Sequence, residues 1–174
     1  SIPYAMIQTG TQNNPLVVTV EGDTKTFKTI PAAVQYTRTQ IASGKNLEIG
    51  LMQISSRWLP TIGAHASDLF RPCKNLVVAT QILEKLRLQC QYIAANNPSI
   101  DIQSCALSLY RNKNLQKGLP YAYQIIQYAK IHPFNELAEK ARDPGMLAAT
   151  QKSNSKLIHK QTLTENSDSE NYSS

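Results

Sequence analysis

Between Asn75 and Ala95 the apolar residues repeat at helical spacing, with Leu76, Ala79, Leu83, Leu86, Cys90 and Ile93 on one stripe. No other stretch of the chain has so clear a period. A helix with one long apolar face must bury that face against other elements, so the fold is expected to form around it. Other segments supply those elements. Thr29 can cap a helix starting at Pro31, because proline in the first turn loses no useful donor, and Gly44 supplies the stop. Within that segment Ala33, Val34, Thr37 and Ile41 share a face. Ser99 or Asp101 can cap a helix running to about Tyr110, and Pro120 to Lys130 makes another, with Tyr121, Ile125 and Tyr128 at helical spacing. Residues 3 to 9 read as the end of a helix, and Glu48 to Leu59 as a short helix broken by Pro60.

One segment has strand character. Leu16 to Val20 and Thr24 to Phe27 are rich in β-branched residues and flank Glu21-Gly22-Asp23, a turn signal, so they read as a β-hairpin. The expected class is mainly α with a small β-hairpin. From about His132 the apolar density falls, apart from a short helical stretch at Asn135 to Arg142, and Ser153 to Ser174 is polar and rich in Ser and Asn. Such a composition cannot offset the entropy of ordering. Residues 1 to 130 are therefore expected to form one domain, followed by a mostly disordered C-terminal extension at 131 to 174.

The formal charge of +6 is concentrated in the front part, where residues 1 to 130 hold 13 basic and 6 acidic side chains against 5 and 6 in the remainder. That imbalance suits an anionic partner such as nucleic acid, an acidic membrane surface or the carboxylates of peptidoglycan. No Lys/Arg run interleaved with aromatics is present, so nucleic acid is not the expected one. No segment has the roughly 20 apolar residues of a membrane span. Cys73, Cys90 and Cys105 permit one disulfide and one free thiol in an oxidising compartment, or three small buried hydrophobes in a reducing one.

The stretch Gly50-Leu51-Met52-Gln53-Ile54-Ser55 carries the functional signal. Taken alone it is an ordinary helix start with Met52 and Ile54 as core residues. It stands, however, in an ordered series: Ala5-Met6-Ile7-Gln8 with Asn14-Pro15 before it, Asp68-Leu69-Phe70-Arg71-Pro72-Cys73-Lys74-Asn75 after it, then Ala106-Leu107-Ser108-Leu109-Tyr110 and Gly118 through Tyr121. Over residues 4 to 130 this series resembles the lytic transglycosylases, in the branch associated with type IV secretion systems. The resemblance implies a lysozyme-like, goose-type-like helical domain that binds peptidoglycan glycan strands in the periplasm, with secretion-system components as partners and no cofactor or metal. On this view Ser1 begins the mature chain, its signal peptide removed. By the same resemblance Gln53 and Ser55 would hydrogen-bond the glycan, and Tyr110 and Tyr121 would line the groove. Read by themselves, the two tyrosines are half-buried core aromatics with locally satisfied hydroxyls. The resemblance also implies an oxidising compartment, with Cys73 and Cys105 as the disulfide candidates and Cys90 as an alternative partner for Cys73.

Cleaving a glycosidic bond requires a carboxylic acid to protonate the leaving oxygen. In the family one glutamate does this, and the muramic acid's own hydroxyl attacks to give an anhydro sugar. Aligned without a gap, the glutamate position is Gly10 here, and with a two-residue shift it is Gln8; neither carries a carboxyl group. Of the other acids, Glu21 and Asp23 read as turn residues, and Glu48, next to the glutamine motif, is the candidate substitute. Where the family has an asparagine after the tyrosine, this chain has Arg111, and Lys113 replaces a glycine. The expected function is a degenerate transglycosylase that binds peptidoglycan with weak or no cleavage. An active enzyme using Glu48, or a basic module that docks secretion proteins, are the alternatives.

Overall fold

In the computed structural model of the protein, which describes residues 1–133, six α-helices and one antiparallel sheet follow one another along the chain. They run α1 (Ile2–Gly10), β1 (Val17–Val20), β2 (Asp23–Thr26), α2 (Ile30–Ala42), β3 (Leu47–Ile49), β4 (Ile54–Ser55), α3 (Leu59–Ile62), α4 (Pro72–Asn96), α5 (Ile102–Arg111) and α6 (Leu115–Ile131). The fold is mainly helical with a small sheet, and one compact unit spans Ser1–Ile131. The helical stretch expected at 135–142 and the polar tail lie outside the described residues. Among the described residues no helix is long and apolar enough to cross a membrane.

The hairpin expected around Glu21-Gly22 is β1–β2, in register Val17 with Thr26 and Val20 with Asp23. Glu21 and Gly22 both have positive φ, 52° and 91°, the pairing that a two-residue hairpin turn demands. The sheet is larger than a hairpin. β3 pairs with the other edge of β1 and β4 pairs with β3, giving the order β2-β1-β3-β4. The short helix expected over Glu48 to Leu59 is therefore a tight strand pair followed by a single turn of 3₁₀ helix at Ser56–Trp58. Gly50 and Gln53 take positive φ of 72° and 51°, a left-handed conformation that ends any helix. Pro60 does not terminate α3 but lies in its first turn, where its missing N–H matters least.

Thr29 caps α2 as expected, its Oγ1 accepting from the Ala32 N–H at 3.3 Å. α4 is the long helix, though its buried stripe is turned from the one the apolar spacing suggests. Asn75, Ala79, Ile82, Leu86 and Cys90 face inward while Leu76 is exposed; Asn75 is drawn inside by its hydrogen bonds, described below. Asp101 caps α5 by accepting from the Ser104 N–H at 2.7 Å. α6 starts at Leu115, not at Pro120, which lies inside it; the Asn114 Oδ1 accepts from the Lys117 N–H and opens the helix earlier. α5 and α6 pack so closely that a Cβ on Gly118 would sit 2.1 Å from the Ser108 carbonyl oxygen.

The disulfide differs from the expected Cys73–Cys105 pair. Cys90 bonds Cys105 and staples α4 to α5, with Cα atoms 5.9 Å apart. Both are buried in the core where the two helices meet, whereas Cys73 lies exposed in the first turn of α4 with a free thiol.

Candidate functional site

The Gly-Leu-Met-Gln motif forms the turn from β3 to β4, and four elements hold it. A Cβ on Gly50 would fall 2.2 Å from the Leu69 carbonyl oxygen and 2.4 Å from the Asn75 Nδ2, so only glycine fits. Asn75, fully buried, accepts from the Met52 N–H at 2.8 Å and donates to the carbonyls of Ile49 at 3.1 Å and Leu69 at 2.8 Å. From α5 the Tyr110 hydroxyl donates to the Met52 carbonyl at 2.9 Å. From the end of α1 the Thr11 hydroxyl donates to the Leu51 carbonyl at 3.0 Å. Met52 and Ile54 enter the core.

Gln53 turns to the opposite side. Its Oε1 accepts from the Thr19 hydroxyl at 2.7 Å and its Nε2 donates to the Gly50 carbonyl at 3.1 Å, which fixes the orientation of the amide. Thr19 also bonds the Thr24 hydroxyl at 3.0 Å. The strand register sets Thr24 opposite Thr19, Thr19 opposite Glu48 and Glu48 opposite Ser55. A polar row thus crosses all four strands, because side chains alternate between the faces of a sheet. Val18, Val20, Leu47, Ile49 and Ile54 fill the other face as core.

Two adjoining clefts lie over the row and share Arg111. The first, about 200 Å³, is bounded by Gly10, Thr19, Gln53, Arg111 and Tyr121. The second, about 300 Å³, lies beside Glu48, Ser55, Arg57 and Lys113. Of the residues singled out in the sequence, Gly10, Gln53 and Tyr121 therefore meet in one cleft, and Glu48 and Ser55 in the next. Tyr110 belongs to neither: it is buried, and it holds the motif turn from behind instead of lining the groove.

Gly10 closes the first cleft from the end of α1. A Cβ there would meet only the Gln53 Cγ, at 3.5 Å, an ordinary contact, so a side chain at position 10 would project toward Gln53. Gln8, the position reached by the shifted alignment, is instead bonded to the Asn13 side chain at 2.9 Å in an exposed setting. Of the two positions, only Gly10 borders the cleft that holds Gln53.

Glu48 is paired with Arg111 at 2.7 Å, and both side chains are partly shielded from solvent. Burial pushes its carboxyl above the usual range, and Arg111 opposes that rise without cancelling it. Arg111 also lies over the Tyr121 ring, 5.7 Å from its centroid. Burial raises the phenols of both Tyr121 and Tyr110, so neither ionises near neutrality. Arg57 donates to the carbonyls of Leu109 and Tyr110 at the end of α5, where a cation meets the negative end of the helix dipole.

Three contributors were given no part in the site by the sequence: Asn75, Thr19 and Arg57. Asn75 carries a faint signal, since a polar residue bordering an apolar stripe three residues past a proline can serve an interior bond. Thr19 carries a clearer one, being the polar member of an otherwise apolar strand, Val17-Val18-Thr19-Val20. No protein-family model, curated protein or solved structure matches the chain.

Proposed function

We propose that the chain is a peptidoglycan-binding, periplasmic component of a type IV secretion system, related to lytic transglycosylases and with little or no capacity to cut the glycan. The observation that carries this reading is the first cleft. Gln53 is oriented there by Thr19 and Gly50 as a substrate-binding amide needs to be, while the residue facing it from the end of α1 is Gly10, which has no proton to give. Tyr121 supplies an aromatic wall and the polar row supplies hydrogen-bonding groups, a combination that suits sugars, whose faces are apolar and whose rims are polar.

General acid catalysis contributes roughly a hundred- to ten-thousand-fold, so its loss leaves at most a very slow enzyme. A second reading keeps the activity and gives the acid's role to Glu48, favoured by the upward shift that burial imposes on it. Against this, the carboxylate already holds Arg111 at 2.7 Å, an arrangement that favours its ionised form.

Sedimentation with purified sacculi and release of anhydro-muropeptides separate the readings, with wild type run beside Gly10→Glu and Glu48→Gln. The expected result is that wild type sediments without releasing product and Gly10→Glu gains release. If wild type cuts and Glu48→Gln does not, the enzyme reading replaces the binding one. If wild type neither sediments nor cuts, peptidoglycan is not the ligand and a docking role is favoured.

A further inference from the structure

The clefts above the sheet continue past Glu48. A third, about 290 Å³, shares Arg57 and Lys113 with the second and is walled on its far side by Trp58, Thr61 and Gln89. The three clefts adjoin in a row, and the middle one is lined by Arg57, Arg111 and Lys113. Glu48 is the single carboxylate lining that middle section.

The charges there are unequally committed. Arg57 is engaged with the carbonyls of Leu109 and Tyr110. Arg111 approaches Glu48 with its Nη1 at 2.7 Å, and a guanidinium has five N–H donors, more than one carboxylate can take up. Lys113, exposed just beyond the end of α5, has no ion-pair partner among the described residues. Three cations around one anion leave a surplus positive charge in a concave, partly desolvated place, where it acts more strongly than on open surface. A neutral polysaccharide offers no opposite charge to match it.

We propose that this middle cleft is a carboxylate-binding subsite for the peptide stems of the glycan strand, so that the protein prefers peptide-bearing strands to bare ones. The inference rests on the peptidoglycan reading above and adds the chemical class of what is recognised. In it the sugars lie over the Thr24, Thr19, Glu48 and Ser55 row, and a stem carboxylate reaches Lys113 and the unengaged N–H groups of Arg111. Arg111, common to the first two clefts, ties recognition of the sugar to recognition of the stem.

The test compares binding to intact sacculi, to glycan strands stripped of peptides by an amidase, and to chitin, at low and high salt. Wild type should hold intact sacculi about tenfold more tightly than stripped strands, the scale of one charge-assisted hydrogen bond, and salt should narrow the gap. Lys113→Glu should shrink that ratio several-fold and Lys113→Arg should retain it; both lie on an exposed residue, and circular dichroism confirms that the variants are folded. Equal binding of intact and stripped strands by wild type, or an unchanged ratio in Lys113→Glu, overturns the subsite and leaves the peptidoglycan reading standing. Binding to none of the three overturns both. Loss of sacculus binding on adding an acidic polypeptide, with no difference between intact and stripped strands, assigns the cleft to a protein partner instead.

Discussion

Replacing Asn75 by alanine is expected to be among the most damaging single changes at the site, although the residue is buried and lines neither of the two clefts over the sheet. Its amide makes three hydrogen bonds, two at 2.8 Å and one at 3.1 Å, in a fully buried setting. Truncation removes all three and leaves the Met52 N–H and two carbonyl groups to find partners where water has poor access. Three hydrogen bonds at about 1 kcal/mol net each set a floor of about 3 kcal/mol, and any of the three groups left buried without a partner raises it. For a domain of this size that lowers Tm by about 10 °C. Thermal unfolding followed by circular dichroism measures it, with the exposed Thr80→Ala on the same helix as a control. Asn75→Asp is a sharper variant. It keeps the acceptor for Met52 but sets a charge against the carbonyl oxygens of Ile49 and Leu69, so at neutral pH it should be at least as destabilising. A shift within about 2 °C of wild type for Asn75→Ala would refute the reasoning, and would mean that strand pairing, Gly50 and the hydroxyls of Tyr110 and Thr11 hold the turn without it.

Gly118→Ala should destabilise by about 3 kcal/mol or more, because its Cβ would collide with the Ser108 backbone; a loss below about 1 kcal/mol in urea unfolding contradicts the close packing of α5 on α6. Reducing the Cys90–Cys105 bond, which closes a 15-residue separation, should remove about 3 kcal/mol, while Cys73→Ser leaves the melt unchanged; the opposite pattern would place the bond elsewhere. The acid limb of stability should be shallower in Asp101→Asn. The Ser104 N–H holds the Asp101 carboxyl below its usual 3.8, so its contribution is present above that value and fades as the pH falls through the lower folded one. Glu48 runs the other way. Its folded value lies above 4.5, so its contribution is complete below 4.5 and is lost as the pH rises through the folded value, and Glu48→Gln should abolish that component of the titration.

Local chemistry explains what could be read from the chain in advance. The β1–β2 hairpin follows from β-branched residues around Glu21-Gly22, the α2 cap from Thr29 ahead of Pro31, and α4 from its apolar period. In each case the determining residues are neighbours in sequence. The turn at Gly50 is different: nothing between Glu48 and Leu59 distinguishes a short helix from a strand pair, and the outcome is set by Asn75 and Tyr110, distant along the chain. Pro120 misplaces the start of α6 for a different reason: Asn114 caps the helix earlier, and the helix carries the proline inside it. The cysteine pairing depends on which end of α4 meets α5, which spacing cannot reveal. At the site, Gly10, Gln53, Ser55 and Tyr121 could be picked out as positions, but the bond from Thr19 and the double engagement of Arg111 exist only once the sheet has formed.

The tethering of the motif turn also bears on how binding would proceed. Gln53 holds a left-handed backbone conformation with both ends of its amide already committed, so its disorder is lost when the chain folds and not when a ligand arrives. A rigid receptor of this kind leaves the ordering entropy of association almost entirely to the ligand. On the proposed peptidoglycan reading, flexible strands should therefore bind with an unfavourable entropy that falls as they are shortened or stiffened, while the protein's own amide exchange around Met52 and Gln53 stays nearly the same with and without them.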